Sequence, residues 1–278
     1  MNLRPARPED VPAIAAVMTS VGEPMEWPGL PGWPYLEHLV SRARVAVAEI
    51  DDTIVGFGGS IGVGSDDVRF VTDLYVEPSW HGRGVGQALL ADILSGTREA
   101  LTFSSGNPNA LPVYVRQGMR PWWPVLYLAG TLGQVLPERI EAVASSIEET
   151  ARLSMLWSGV DRTADFRHYA ELPDAAGYVI LDEGGAAAVC WAARDPEDPG
   201  RFVYHATIGP DADPTRAALA IWAAASAGGR LLAGVPGPHP ALATLLEAGA
   251  RIEDRDTFCA TDPGLLDPAR ILPNPGLL

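Results

Sequence analysis

Three glycines at alternate positions, Gly82, Gly84 and Gly86, separate an apolar run ending Val76-Glu77-Pro78 from a stretch of helical spacing at residues 85–94. A strand that enters a helix through glycines turns several backbone N–H groups toward one point, where the helix dipole adds partial positive charge. That arrangement suits a phosphate or pyrophosphate, with Arg83 adding charge at the rim. Glycine is required because a side chain would block the anion and because positive φ costs it little. No Lys-Ser/Thr follows, which excludes a P-loop, and the third glycine comes one residue early for the dinucleotide G-x-G-x-x-G. On their own, three glycines also fit a strand-to-helix turn that binds nothing.

Other residues able to do chemistry are fewer. Gly58-x-Ser60-x-Gly62 matches a nucleophile elbow, but a helix must follow that serine directly, and here a turn and another β run follow. Cys190 and Cys259 lie in apolar, strand-like runs without a C-x-x-C or Cys/His cluster, so buried reduced thiols are expected and no metal site. Asp161, Arg162, Arg167 and His168 form a polar segment, expected as a solvated helix start. Every basic residue is Arg, which excludes a lysine Schiff base.

The elements that would carry these residues follow from periodicity. A short strand precedes a helix capped by Pro8-Glu9-Asp10, then a Pro/Gly/Trp loop leads to a helix around residues 35–41. A hairpin turning at Asp51-Asp52, a third β run, the glycine loop and its helix come next. Another strand, a helix ending at Gly118 and a strand near residue 130 complete the order β-α-α-β-β-β-α-β-α-β. The remainder repeats the plan, starting with an amphipathic helix across residues 137–153, a second one near 163–172 and a hairpin at Glu183-Gly184-Gly185. Written in register, Gly106, Ala110, Gly118 and Arg120 fall on Gly237, Ala241, Gly249 and Arg251. Duplication is therefore expected, with domains at 1–132 and 133–278 and a Pro-rich tail extended over the surface.

With 278 residues, 47% of them hydrophobic, the chain can build two modest cores. Its net charge of -15 argues against nucleic-acid or membrane partners and leaves room for a cationic small molecule. The polar N-terminus and the lack of a long apolar run point to a cytoplasmic protein, expected as a monomer or homodimer.

The stretch LYVEPSWHGRGVGQALL resembles the coenzyme A signature of the GNAT superfamily of N-acetyltransferases, with His81 where Gln or Arg is usual. A second family motif follows at Asn107, Ala110, Tyr114 and Gly118, with Met119 in place of an aromatic residue. The resemblance implies an α/β (α+β) fold of two tandem GNAT-like domains, each a mixed twisted sheet flanked by helices. The first would be a catalytic, acetyl-CoA-binding domain that acetylates a primary amine of a small-molecule acceptor without metal. The second would be degenerate, since it lacks the glycine loop, and Pro238 and Leu245 stand at the places of Asn107 and Tyr114. A non-catalytic acyl-CoA sensor or scaffold is the competing reading.

By the same resemblance, His81, Gly82, Arg83, Gly84, Val85, Gly86 and Gln87 would hold the pyrophosphate. Leu74, Tyr75 and Val76 would pair with the pantetheine arm, the Val76 amide polarising the thioester. Tyr114 would be the general acid, its phenol of pKa about 10 matching a thiolate of pKa about 8.5. Asp73 and Glu26 are alternative bases. Asn107 would either bond the pantetheine or cap the following helix. Trp27, Trp33 and Tyr35 fall where the acceptor wall is usually built, though ordinary packing explains them equally well.

Overall fold

The computed structural model describes residues 1–23, 30–132, 137, 139–195 and 200–278. The chain divides into two compact units. The first comprises Met1–Pro121, Cys259–Pro263 and Pro275–Leu277, and the second Trp122–Phe258, Gly264–Asn274 and Leu278.

In the first unit the order is β1 (Asn2–Pro5), α1 (Val11–Ser20), α2 (Pro34–Arg42), β2 (Arg44–Ile50), β3 (Thr53–Val63), β4 (Ser65–Val76), α3 (Val85–Ile93), β5 (Glu99–Ser104) and α4 (Ala110–Arg116). The strands lie in the order β1-β2-β3-β4-β5, antiparallel except for the parallel β4–β5 pair. Asp51 and Asp52 both take positive φ, 49° and 61°, as a two-residue hairpin turn matched to strand twist requires. Asp10 does not cap α1. Its carboxylate instead accepts from Arg4 Nη1 (2.7 Å) and the Arg7 N–H (2.8 Å). The apolar stripe of α3 buries Leu89, Leu90 and Ile93 completely, each stabilising the unit by about 1.5–3 kcal/mol.

Opposite Gly59 and Ser60, β4 carries one extra residue, Thr72, so that Gly59 pairs with Asp73 and Ser60 with Val71. Glycine is needed at 59, because a Cβ there would sit 2.6 Å from Thr72 Oγ1. The bulge re-aims the strand beyond it. Ser60 is an interior strand residue whose Oγ donates to the Ile93 carbonyl (3.0 Å), so the elbow pattern has no nucleophile geometry.

The second unit contains β6 (Arg120–Gly130, from Trp122 onward), β7 (Glu141–Ser145), α5 (Ile147–Ser158), α6 (Thr163–Ala170), β8 (Ala176–Asp182), β9 (Gly185–Arg194), β10 (Arg201–Ile208), α7 (Pro214–Ser226), β11 (Leu231–Pro236), α8 (Leu242–Glu247), β12 (Arg251–Ala260, to Phe258) and β13 (Ile271–Leu272). Its order is β12-β6-β11-β10-β9-β8-β7, with β13 on β10. α7 packs Leu219, Ile221 and Trp222 onto this sheet.

Four expectations are corrected. The boundary falls at 121/122 rather than 132/133, because β6 pairs with β11 from Val125–Pro236 to Gly130–Leu231 and so belongs to the second unit. The first unit takes Cys259–Pro263 instead, where the Thr261 N–H donates to Ala100 O (2.9 Å). The helix expected across residues 137–153 is a strand followed by a helix: EAVAS pairs with β8, and Ser146 caps α5 by accepting from the Glu149 N–H (3.2 Å). The start of α6 is solvated only in part: Asp161 and Arg167 are exposed, whereas Arg162 and His168 are buried with Asp165. The tail is not a surface strap either, because Leu272, Asn274 and Leu277 are buried.

The register between the halves holds in the backbone. Gly118 and Gly249 both take positive φ, and Met119 N–H to Tyr114 O (3.3 Å) matches Ala250 N–H to Leu245 O (3.0 Å), the same helix-ending hydrogen bond. Among the described residues no helix is long and apolar enough to cross a membrane.

Candidate active site

The parallel β4–β5 ladder runs only from Val68–Glu99 to Val71–Thr102, where the Thr102 hydroxyl donates to the Val71 carbonyl (2.9 Å). β4 continues for five more residues, paired with β3 alone. Peptide groups alternate along a strand. The Glu77 N–H donates to Val55 O on the β3 side (2.9 Å), so Leu74 and Val76 direct their N–H and C=O groups to the opposite edge. No strand pairs there among the described residues. The Val76 carbonyl accepts from His81 Nε2–H (2.7 Å), which ties the glycine loop to the strand end and leaves the Val76 N–H facing the edge.

The loop ends at Gly84, the N-cap of α3, with φ 83° and no side chain to cap the helix. The first intrahelical bond runs from Ala88 N–H to Gly84 O, so the N–H groups of Val85, Gly86 and Gln87 have no acceptor within the helix. A Cβ at Gly82 or Gly84 would point into open space. The Arg83 guanidinium stacks over the Trp80 ring at 4.7 Å and remains at the loop. An uncapped helix end of this form attracts an anion.

Asp73 follows the bulge and is only 6% exposed. Burial pushes its carboxyl up to about 6, against the hydrogen bond from Tyr35 Oη (2.6 Å) that favours the charged form. Tyr35 Oη also lies 3.3 Å from the carbonyl of Gly276, whose Cα packs against the Tyr35 ring. Tail residues 275–277 thus complete the surroundings of Asp73 within the first unit.

Residues 41–120 match the family model of the acetyltransferase (GNAT) domain. The first unit carries a GNAT domain. Solved structures with the same fold include a Pyrococcus horikoshii protein provisionally classed as an acetyltransferase, at 12% identity and TM-score 0.70, covering 100% of this chain and 95% of that one. A tandem GNAT protein from the clavulanic acid biosynthesis pathway aligns at 14% identity and TM-score 0.60, covering 94% and 99%. A GCN5-related N-acetyltransferase from Sphaerobacter thermophilus aligns at 15% identity and TM-score 0.59, covering 96% and 98%. At these identities the likeness is one of fold. No curated protein matches the sequence.

Within the GNAT domain, Asp73 and Tyr35 are brought into direct contact, a pairing that 38 residues of separation hid from sequence reasoning. His81 proves to be a tether, a role its departure from the family pattern could have signalled. Tyr75 stacks on Phe57, ring centroids 5.7 Å apart. Tyr114 is buried on α4 among Val85 and Leu89 of α3 and Met119. Asn107 Oδ1 accepts from the Asn109 N–H (2.9 Å) in the turn before α4, whose N-cap is Asn109, with no side-chain cap. Trp33 is half-buried at the N-terminus of α2. Glu26 and Trp27 lie outside the described residues. Cys190 and Cys259 are buried free thiols, and burial pushes the Cys190 thiol up to about 12. Among the described residues no three His, Cys, Asp or Glu side chains are grouped to hold a metal.

Proposed function

We propose that the GNAT domain transfers an acetyl group from acetyl-CoA to a primary amine of a small-molecule acceptor, by direct attack in a ternary complex. The observation that carries this reading is the edge of β4 at Leu74 and Val76, on which no strand pairs among the described residues, running straight into an uncapped helix end at Gly84. One edge offers hydrogen bonds to an extended amide-bearing arm, and the other end offers N–H groups to a pyrophosphate. Coenzyme A has those two parts joined in that order.

The edge-facing Val76 N–H polarises the thioester carbonyl and stabilises the oxyanion. Asp73 takes the proton of the incoming ammonium, directly or through water, and the neutral amine attacks the thioester carbon. The carbon–sulfur bond breaks, Tyr114 gives its proton to the departing thiolate, and the second proton, lost by the acylated nitrogen, passes through solvent to restore the Tyr114 phenol. The surplus of acidic residues suits a cationic acceptor.

The test is thiol release from acetyl-CoA over a panel of amines. Turnover is expected with at least one small amine, and Tyr114→Phe is expected to lower it about 10–1000-fold while CoA binding stays unchanged. Tight CoA binding without turnover on any amine would favour the sensor reading, and an unaltered Tyr114→Phe rate would remove Tyr114 from the mechanism.

A further inference from the structure

The second unit repeats the cleft of the first. Its β10–β11 ladder is parallel only at Arg201–Leu231 and Phe202–Leu232, and β10 then continues beyond it. β10 carries a bulge at Tyr204, so that Val203 pairs with Ala192 and His205 with Trp191. The Gly209 N–H donates to Ala187 O (2.8 Å), as Glu77 does to Val55, and both residues stand 132 positions further along the chain. His205 therefore occupies the place of Asp73, and Ala206, Thr207 and Ile208 those of Leu74, Tyr75 and Val76.

We propose that the second unit's cofactor cleft is filled from within by residues 270–274 and Leu278, an intramolecular peptide ligand in the place of a pantetheine arm, with the Asp213 carboxylate in the place of the pyrophosphate. β13 adds to the edge of β10, Leu272 opposite Ala206 and Ile271 opposite Thr207. The Ile208 N–H, counterpart of the Val76 amide, donates to the Arg270 carbonyl (2.9 Å). On the other side, the tail lies so close to β11 that a Cβ on Gly234 would sit 2.6 Å from Pro273 O. Arg270 Nη1 clamps the segment by donating to the Gly209 and Ala212 carbonyls (both 2.7 Å).

The helix end is closed in the same way. α7 begins with Pro214, and the Asp213 carboxylate accepts from the Arg216 N–H (2.9 Å). The counterpart of the base is sealed too. His205, 1% exposed, donates from Nδ1 to the Leu278 carbonyl oxygen (3.2 Å) and accepts at Nε2 from Thr207 (2.7 Å). A peptide carbonyl thus already takes the N–H that, in the first unit, is proposed to meet a thioester.

The assignment of a cofactor place rests on the acyl-CoA reading of the first unit, but the two fail separately. Full-length protein is followed by hydrogen–deuterium exchange with and without coenzyme A, and native mass spectrometry counts the bound coenzyme. One CoA per chain is expected. Without CoA, the Ile208 and Leu272 amides should exchange at least 100-fold more slowly than Leu74 and Val76 and be unchanged by CoA, whereas those of Leu74 and Val76 should slow on binding. A second CoA per chain, CoA-induced changes at residues 205–208, or fast exchange of Ile208 without CoA would each overturn the proposal. If no CoA binds at all, the acyl-CoA reading falls, and the exchange of Ile208 still decides whether the cleft is filled.

Discussion

Asp73 shows how much chemistry one bulge can set. Thr72 is the extra residue, Gly59 makes room for it, and the next side chain is delivered to Tyr35. Because the folded-state pKa of about 6 lies above the ordinary carboxylate value, the folded chain holds an extra proton between about pH 4 and 6. Stability should therefore fall as pH rises through that window, by about 3 kcal/mol. Asp73→Asn should abolish this loss, seen as an equal denaturation free energy at pH 4 and 7.5 once other groups are matched. The same substitution should remove an acid limb near pH 6 from kcat/KM, since only ionised Asp73 can accept a proton. A variant that keeps both pH dependences would dismiss Asp73 as the titrating base. The sequence pointed to Asp73 through its place on the strand before the glycine loop, but its raised pKa arises from burial by the folded unit, which no local pattern announces.

At the scale of elements, two helix beginnings built from one plan diverge. α3 starts at a bare Gly84, whereas α7 starts at Asp213 and Pro214. Gly84→Ala should cost about 1–2 kcal/mol in the free protein, because φ 83° is left-handed. It should also weaken CoA binding, as the new methyl group projects where the anion would lie. Thermal melting with and without CoA separates the two effects. A shift in both conditions without loss of ligand-induced stabilisation would show that the loop's openness does not matter.

Elements defined by local chemistry were legible in the residues: the hairpin turn at Asp51-Asp52, the glycine helix ends at 118 and 249, and the β4–α3 junction. β7 was not, because Glu141–Ser145 is exposed on an edge and carries no burial signature. Yet Ser146 followed by Glu149 was a capping signal that could have separated this strand from α5.

For the whole molecule, the repeat was readable but the allocation of strands was not. Periodicity reports that a segment is a strand, never which strand it joins. β6 follows α4 directly and nonetheless pairs with β11, while the first unit finishes with residues 259–263 and 275–277. A fragment ending at residue 132 should accordingly leave β5 without its Thr261 partner and β6 without a sheet. Expressed alone, it should be aggregated or lack dispersed amide resonances, while the full chain melts cooperatively. A stable, CoA-binding fragment 1–132 would contradict the allocation.

That allocation has a consequence on the ribosome. The N-terminal half emerges first, but the residues that finish its unit, Pro275–Leu277, are translated only after β6 to β13. At roughly 5–20 residues per second, the interval between Pro121 and Leu277 is on the order of 8–30 s. Throughout that time β5 has an open edge and Tyr35 lacks Gly276, so the nascent domain waits as an incomplete sheet. Chaperone engagement during synthesis should concentrate on this half, although it is made first.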